Sequence, residues 1–135
     1  MFDRTKMRRV TAAVIMVDGR LLIAQRPVHD NLSGLWELPG GKVEDGETPE
    51  QCLGRELKEE LGISAEVAEC VGRSVYEYGH GAIELLAYRT KWLNGALVPT
   101  FHARVLFVGP EELQDYSFAP ADVPLIAQIV SEWSK

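Results

Sequence analysis

Residues 41–63 read GKVEDGETPEQCLGRELKEELGI, and this stretch decides the reading of the chain. Its pattern is G-x5-E-x7-R-E-U-x-E-E-x-G-U, where U is aliphatic. The defining positions are Gly41, Glu47, Arg55, Glu56, Leu57, Glu59, Glu60, Gly62 and Ile63. Thr48-Pro49-Glu50-Gln51 predicts a helix start, with Thr48 as N-cap, Pro49 in the first turn and Gln51 completing a capping box. Leu53, Leu57 and Leu61 recur every four residues and form one apolar stripe. Gly62 suits a left-handed C-terminal cap. Glu56, Glu59 and Glu60 stand at i, i+3 and i+4, so they leave the helix on one face. Like charges in that arrangement destabilise a lone helix by a few tenths of a kcal/mol per pair. A cation between them reverses the sign. Carboxylate oxygens with retained waters describe a site for magnesium, with manganese as the alternative ion. The bland alternative is a solvated acidic helix face. Glu47 lies in the loop before the helix, and Gly40-Gly41 lets backbone approach an ion or phosphate where a Cβ would interfere.

Outward from this stretch, the chain reads as one mixed α/β domain over residues 1–135. Val10–Val17 and Arg20–Gln25 are apolar runs around Asp18-Gly19, the signature of a hairpin with a type I′ turn. Pro27–Gly34 reads as a loop and Leu35–Leu38 as a short strand. Glu66–Tyr78 and Ala82–Trp92 predict strands turned at residues 79–81, and Asn94-Gly95 a second tight turn. Arg104–Val108 predicts another strand, Pro110–Gln114 a helical turn. Asp122 is a candidate N-cap for a helix carrying Leu125, Ile126, Ile129, Val130 and Trp133 at helical spacing. The sum is an α/β/α sandwich, with a mixed sheet between helices.

Composition narrows the function. The net charge of −6 argues against a partner that is a nucleic-acid polymer, since such binders show a basic face. It leaves open a small phosphate substrate bridged by metal. No apolar run reaches the roughly 18 residues of a membrane span, and the first residues lack the apolar centre of a secretory signal. A cytoplasmic protein is expected, with no membrane partner. Cys52 and Cys70 show no zinc-ligand spacing and are expected to be free, small core residues. His29, His80 and His102 read as loop or surface residues. Phe2, Trp92 and Trp133 belong to the core or to a homodimer contact, so monomer and homodimer both stand.

Two cations near the glycines have open readings. Arg55 contacts a phosphate or pairs with Glu47 or Glu59 and orients them, the second being favoured because such supporting partners are common at metal sites. Lys42 meets a phosphate or is an exposed solubilising side chain.

The stretch 41–63 is identified as a complete Nudix box. LLIAQRPVHDNLSGLWELPGGKVEDGETPEQCLGRELKEELGI and FAPADVPLIAQI resemble the MutT-like branch of that superfamily. The resemblance implies hydrolysis of a nucleoside triphosphate to the monophosphate and pyrophosphate, on 8-oxo-dGTP or cytidine-type triphosphates. It implies metal ligation by Glu56, Glu59, Glu60 and the Gly40 carbonyl, with Glu56 the first choice of general base and Glu60 the second. Arg26 matches the family arginine near the nucleotide, or is a surface charge at a strand end. Leu38 stands where many relatives have Phe, so aliphatic contact would replace stacking. Asp122 matches a residue placed against the base. As a carboxylate it would only accept hydrogen bonds, which favours a base edge rich in donors. The resemblance also implies an acid, carried by many relatives, just before the residue matching His102. Here that position is Phe101, so a further metal contact is missing or comes from Glu77 or Glu84. Other readings are hydrolysis of ADP-ribose or a dinucleoside polyphosphate, with Tyr76 and Tyr78 as stacking candidates, and a non-catalytic nucleotide sensor.

Overall fold

The computed structural model describes residues 7–28, 32–79 and 81–133. Met7–Val17 forms β1 and Arg20–Gln25 forms β2. Between them Asp18 and Gly19 have φ of 51° and 74°, the paired positive values of a type I′ turn. Trp36–Glu37 is β3, Pro49–Leu61 is α1, Ser64–Tyr78 is β4 and Gly81–Asn94 is β5. Arg104–Val108 is β6, Pro110–Asp115 a 3-10 turn, and Val123–Trp133 is α2.

The six strands make one mixed sheet in the order β3-β2-β1-β5-β4, and β6 also pairs with β2. β1 runs parallel to β5 and antiparallel to β2. Period-2 alternation along β1 sends Ala12 and Val14 to one face and Ala13 and Ile15 to the other. The first face packs on Leu125 and Ile126 of α2, and the second on Leu53, Leu57 and Leu61 of α1. A helix therefore covers each face of the sheet, the expected α/β/α sandwich.

The ends of α1 are built as its sequence predicts. Thr48 accepts from the Gln51 amide at 3.1 Å and the Gln51 side chain accepts from the Thr48 amide at 3.0 Å. Gly62 closes the helix with φ of 74°. The chain after β5 then returns to this end: Val98 donates to the Leu61 carbonyl at 2.8 Å and Thr100 to the Glu60 carbonyl at 2.9 Å. Carbonyls that a helix leaves unpaired are thus satisfied by residues some 40 positions away.

Three sequence readings need correction or limits. Cys52 is fully buried, but Cys70 is exposed on β4, because that edge strand has only partial cover. His102 is buried, at 6% exposure. His29, His80 and Phe2 lie outside the described residues. Trp92 stacks on Phe107 with centroids 6.2 Å apart, and Trp133 packs against the α2-side core. No helix among the described residues is long and apolar enough to cross a membrane.

Replacing Thr48 by Ala removes one half of the reciprocal cap and should lower stability by about 1 kcal/mol. A urea titration at constant slope reads this as a lower midpoint. An unmoved midpoint would mean that the cap does not hold the helix start.

Candidate active site

The site begins where the chain crosses β1 after β3. Pro39 and Gly41 accept from the amides of Ala13 and Thr11, each at 2.8 Å. Strand alternation then turns the intervening Gly40 carbonyl away from β1. A Cβ on Gly40 would lie 2.0 Å from the Thr11 carbonyl oxygen, so the strand leaves no room for a side chain. A Cβ on Gly41 would lie 2.2 Å from Oε2 of Glu56. Glycine at 41 thus lets the glutamate rest directly against the loop.

Arg55 is the hub of the acidic face. Its Nε donates to Glu47 at 2.7 Å and its Nη2 to the other Glu47 oxygen at 3.0 Å, a bidentate pair. Nη1 donates to Glu56 at 2.6 Å and to Glu59 at 3.2 Å. Nη2 also reaches the Lys42 carbonyl at 3.4 Å. The Arg55 guanidinium holds the Glu47 carboxyl well below the ordinary range, down to about 2. These partners in turn hold the guanidinium firmly protonated. The orienting reading of Arg55 matches these contacts.

Glu60 is different. It is half-buried, and among the described residues no arginine is paired with it. Burial first, then the charges of Glu56 and Glu37, push it up to about 7, against the opposite pull of His102 and Arg26. A carboxyl in that state gains from an added cation. All three glutamates supply oxygen, the donor that magnesium and manganese prefer. Among the described residues no three acidic, histidine or cysteine side chains already converge on one point. Arg55 accounts for this, since it draws Glu56 and Glu59 to itself. The residues fit a hard divalent ion in donor chemistry, and the Glu59 side chain, 59% exposed, can turn toward one.

A second group of side chains meets beside Glu60. Arg26 follows β2, Glu37 lies on β3 and His102 precedes β6, so sheet pairing brings them together. Arg26 Nη1 donates to both Glu37 oxygens, at 3.2 and 3.3 Å. The His102 Nε2 lies 2.8 Å from the second of these oxygens. Among the described residues, the buried His102 Nδ1 has no hydrogen-bond partner. Sequence reasoning missed Glu37 and the burial of His102. They are 65 positions apart, and no local pattern marks the pair.

Asp122 sits at the start of α2, where its carbonyl accepts from the Ile126 amide at 2.9 Å as an N-cap's does. Its side chain instead reaches the Leu38 amide, which donates to Oδ2 at 3.0 Å. Burial pushes Asp122 up to about 8, with Glu37 adding to the rise and the Leu38 bond and Arg26 opposing it. Near neutrality it is therefore largely a carboxylic acid, not the acceptor-only carboxylate expected from sequence. The Leu38 side chain, 3% exposed, packs within the α2-side core. Lys42 borders an open cleft of about 530 Å³ with Arg8, Arg9, Glu44, Asp45 and Glu47. Glu84 pairs with Arg73, and Glu77 lies on exposed β4, so neither joins the α1 glutamates.

A glutamate-lined helix beneath a glycine loop, on this sandwich, defines a protein that handles phosphates with divalent ions. The chain belongs to the Nudix family: the NUDIX domain matches residues 7–130. It is 45% identical over 121 residues to a CTP pyrophosphohydrolase of Escherichia coli K12, covering 90% of each chain. It is 37% identical over 95 residues to an 8-oxo-dGTP diphosphatase of Proteus vulgaris, covering 70% of this chain and 85% of that one. The solution structure of the E. coli ORF135 protein matches with a TM-score of 0.81 at 42% identity, over 93% of this chain and 90% of that one. The chain is thus a MutT-like Nudix hydrolase, of a family that requires divalent metal ions.

Asp122 generates a stability prediction. Its folded pKa of about 8 exceeds the ordinary 3.8, so the folded state holds the proton more tightly. Its contribution is full below about pH 4 and is lost as pH rises through about 8. The urea midpoint should fall between pH 6 and 8.5, and Asp122→Asn should flatten that fall. Identical pH profiles for the two proteins would contradict the assignment.

Proposed function

We propose that this chain, as a single Nudix domain over residues 1–135, hydrolyses a nucleoside triphosphate to the monophosphate and pyrophosphate with magnesium, or manganese in its place. The observation that carries this is the set Glu56, Glu59 and Glu60 on one face of α1, held with Glu47 by Arg55. A divalent ion, when bound, would neutralise phosphate charge and supply Lewis acidity toward the attacking water. Glu56, Glu59 and Glu60, with the Gly40 carbonyl, would hold that ion. Arg55 and Glu47 orient the set, and their bidentate pair would persist if Glu56 and Glu59 were to bind the ion. Glu56 would be the first choice to take the proton of the attacking water, through Oε2, the oxygen that rests beside Gly41. Glu60 is the second candidate for base, and carboxyls this close titrate as a set.

Arg26 and Lys42 meet substrate phosphates. Asp122 reads the base, and Leu38 serves it through the amide that fixes the carboxyl. A carboxylic acid with one oxygen on the Leu38 amide can donate a proton and accept one. That matches the adjacent ring nitrogen and amine of cytosine. It also matches an oxidised guanine edge, which offers a donor beside an acceptor. The cytidine reading is favoured by the relative at 45% identity, a CTP pyrophosphohydrolase. The substrate is a small nucleotide taken up in the cytoplasm, by a monomer or homodimer, with no nucleic-acid polymer or membrane involved.

Product analysis with magnesium across CTP, 5-methyl-dCTP, 8-oxo-dGTP, dGTP and ADP-ribose tests the proposal. Pyrophosphate release, fastest from a cytidine triphosphate, is expected. Turnover of ADP-ribose alone, or none, would overturn the substrate. Glu56→Gln and Glu59→Gln should each lower kcat at least about 100-fold with the urea midpoint retained. Full activity in both variants would remove the catalytic reading.

A further inference from the structure

We propose that Phe101 is a positioning residue for substrate binding, its ring holding the Arg26 guanidinium beside the glutamate helix without adding negative charge there. The inference rests on the reading above, in which Arg26 meets the nucleotide.

The contacts locate the ring. Its chain neighbour Thr100 donates from its amide to the Glu60 carbonyl at 2.9 Å and from Oγ1 to the Glu59 carbonyl at 3.0 Å. Phe101 is therefore tied to the end of α1 that bears the last two glutamates. On its other side Phe101 meets the His102 ring edge-on, at 5.0 Å and 81°. The Arg26 guanidinium lies over the Phe101 ring, 5.3 Å from its centroid. Phe101 is 39% exposed, so part of its ring remains open to solvent beside Arg26.

The physical consequence concerns charge. Arg26 is held from one direction by the Glu37 carboxylate and from another by an aromatic face. Glu37 is itself shared with His102. A ring restrains a guanidinium through its quadrupole and leaves the positive charge intact. An acid at position 101 would fix Arg26 equally well but would place a further negative charge close to Glu59 and Glu60. A triphosphate approaching that corner would meet more repulsion. The aromatic face fixes the arginine in place and keeps its field for the incoming anion.

The test is a double-mutant cycle on the full chain. Binding of the non-hydrolysable α,β-imido analogue of CTP with magnesium is measured by titration calorimetry, beside kcat and KM for CTP. Phe101→Ala should weaken binding and raise KM roughly three- to tenfold, with kcat changed less than about twofold. Phe101→Tyr should restore both. In an Arg26→Ala background, Phe101→Ala should have no further effect. Phe101→Leu repeats the test with apolar bulk kept, should the alanine variant not fold. The inference is overturned if binding and KM are unchanged, or if the loss is equal with and without Arg26. It is also overturned if kcat falls while KM holds. Binding of the analogue without cleavage of CTP would sink the enzyme reading but leave this cycle readable. A protein that neither binds nor cleaves would sink both.

Discussion

Everything at the site depends on one guanidinium among carboxylates. Glu56, Glu59 and Glu60 share a helix face on which they repel each other, with Glu47 facing them from the preceding loop. Arg55 makes this arrangement stable without a metal, through short contacts to Glu47 and Glu56 and a longer one to Glu59. Planar, permanently charged arginine suits this task better than lysine, since it reaches several oxygens in fixed directions. The pairing also has a hierarchy. Glu47 is bound bidentately, whereas Glu56 and Glu59 share a single nitrogen. Those two are bound through one nitrogen each, and among the described residues Glu60 has no arginine partner.

The fold supplies the surroundings for that face. β1 carries the glycine loop on its backbone amides, and the absence of a Cβ at Gly41 brings Glu56 against the loop. β2, β3 and the segment before β6 end together beside Glu60, which is why Arg26, Glu37 and His102 meet. α2 closes the other face, and its first turn is tied to β3 through Asp122 and the Leu38 amide. The glutamate helix and the buried Asp122 thus stand on opposite faces of one sheet, joined across its edge by Arg26 and Glu37. Both charges are felt by Glu60 and by Asp122.

What the sequence disclosed was local. The cap at Thr48, the stop at Gly62, the Asp18-Gly19 turn and the common face of the three glutamates are short-range consequences of residue type and spacing. Arg55 was legible because its partners lie within two helical turns and one loop. The rest depended on tertiary contact. Glu37 and His102 pair across 65 residues, and Thr100 caps a helix some 40 residues before it. Burial changed the chemistry of Asp122 from acceptor-only to a carboxylic acid, and no spacing rule conveys how dry a site is. Leu38 was read as a substrate contact because it stands where the resemblance puts Phe, yet its side chain packs in the core and its amide holds Asp122. Cys70 read as core because cysteines usually are, while an edge strand left it exposed.

The central claim is that the α1 glutamates hold a divalent ion once two of them leave Arg55. Calorimetric titration of manganese into the full chain tests it most directly, with Glu60→Gln as the comparison. The account predicts saturable binding that is weaker by roughly tenfold or more in the variant. Equal affinity in the two proteins would contradict it.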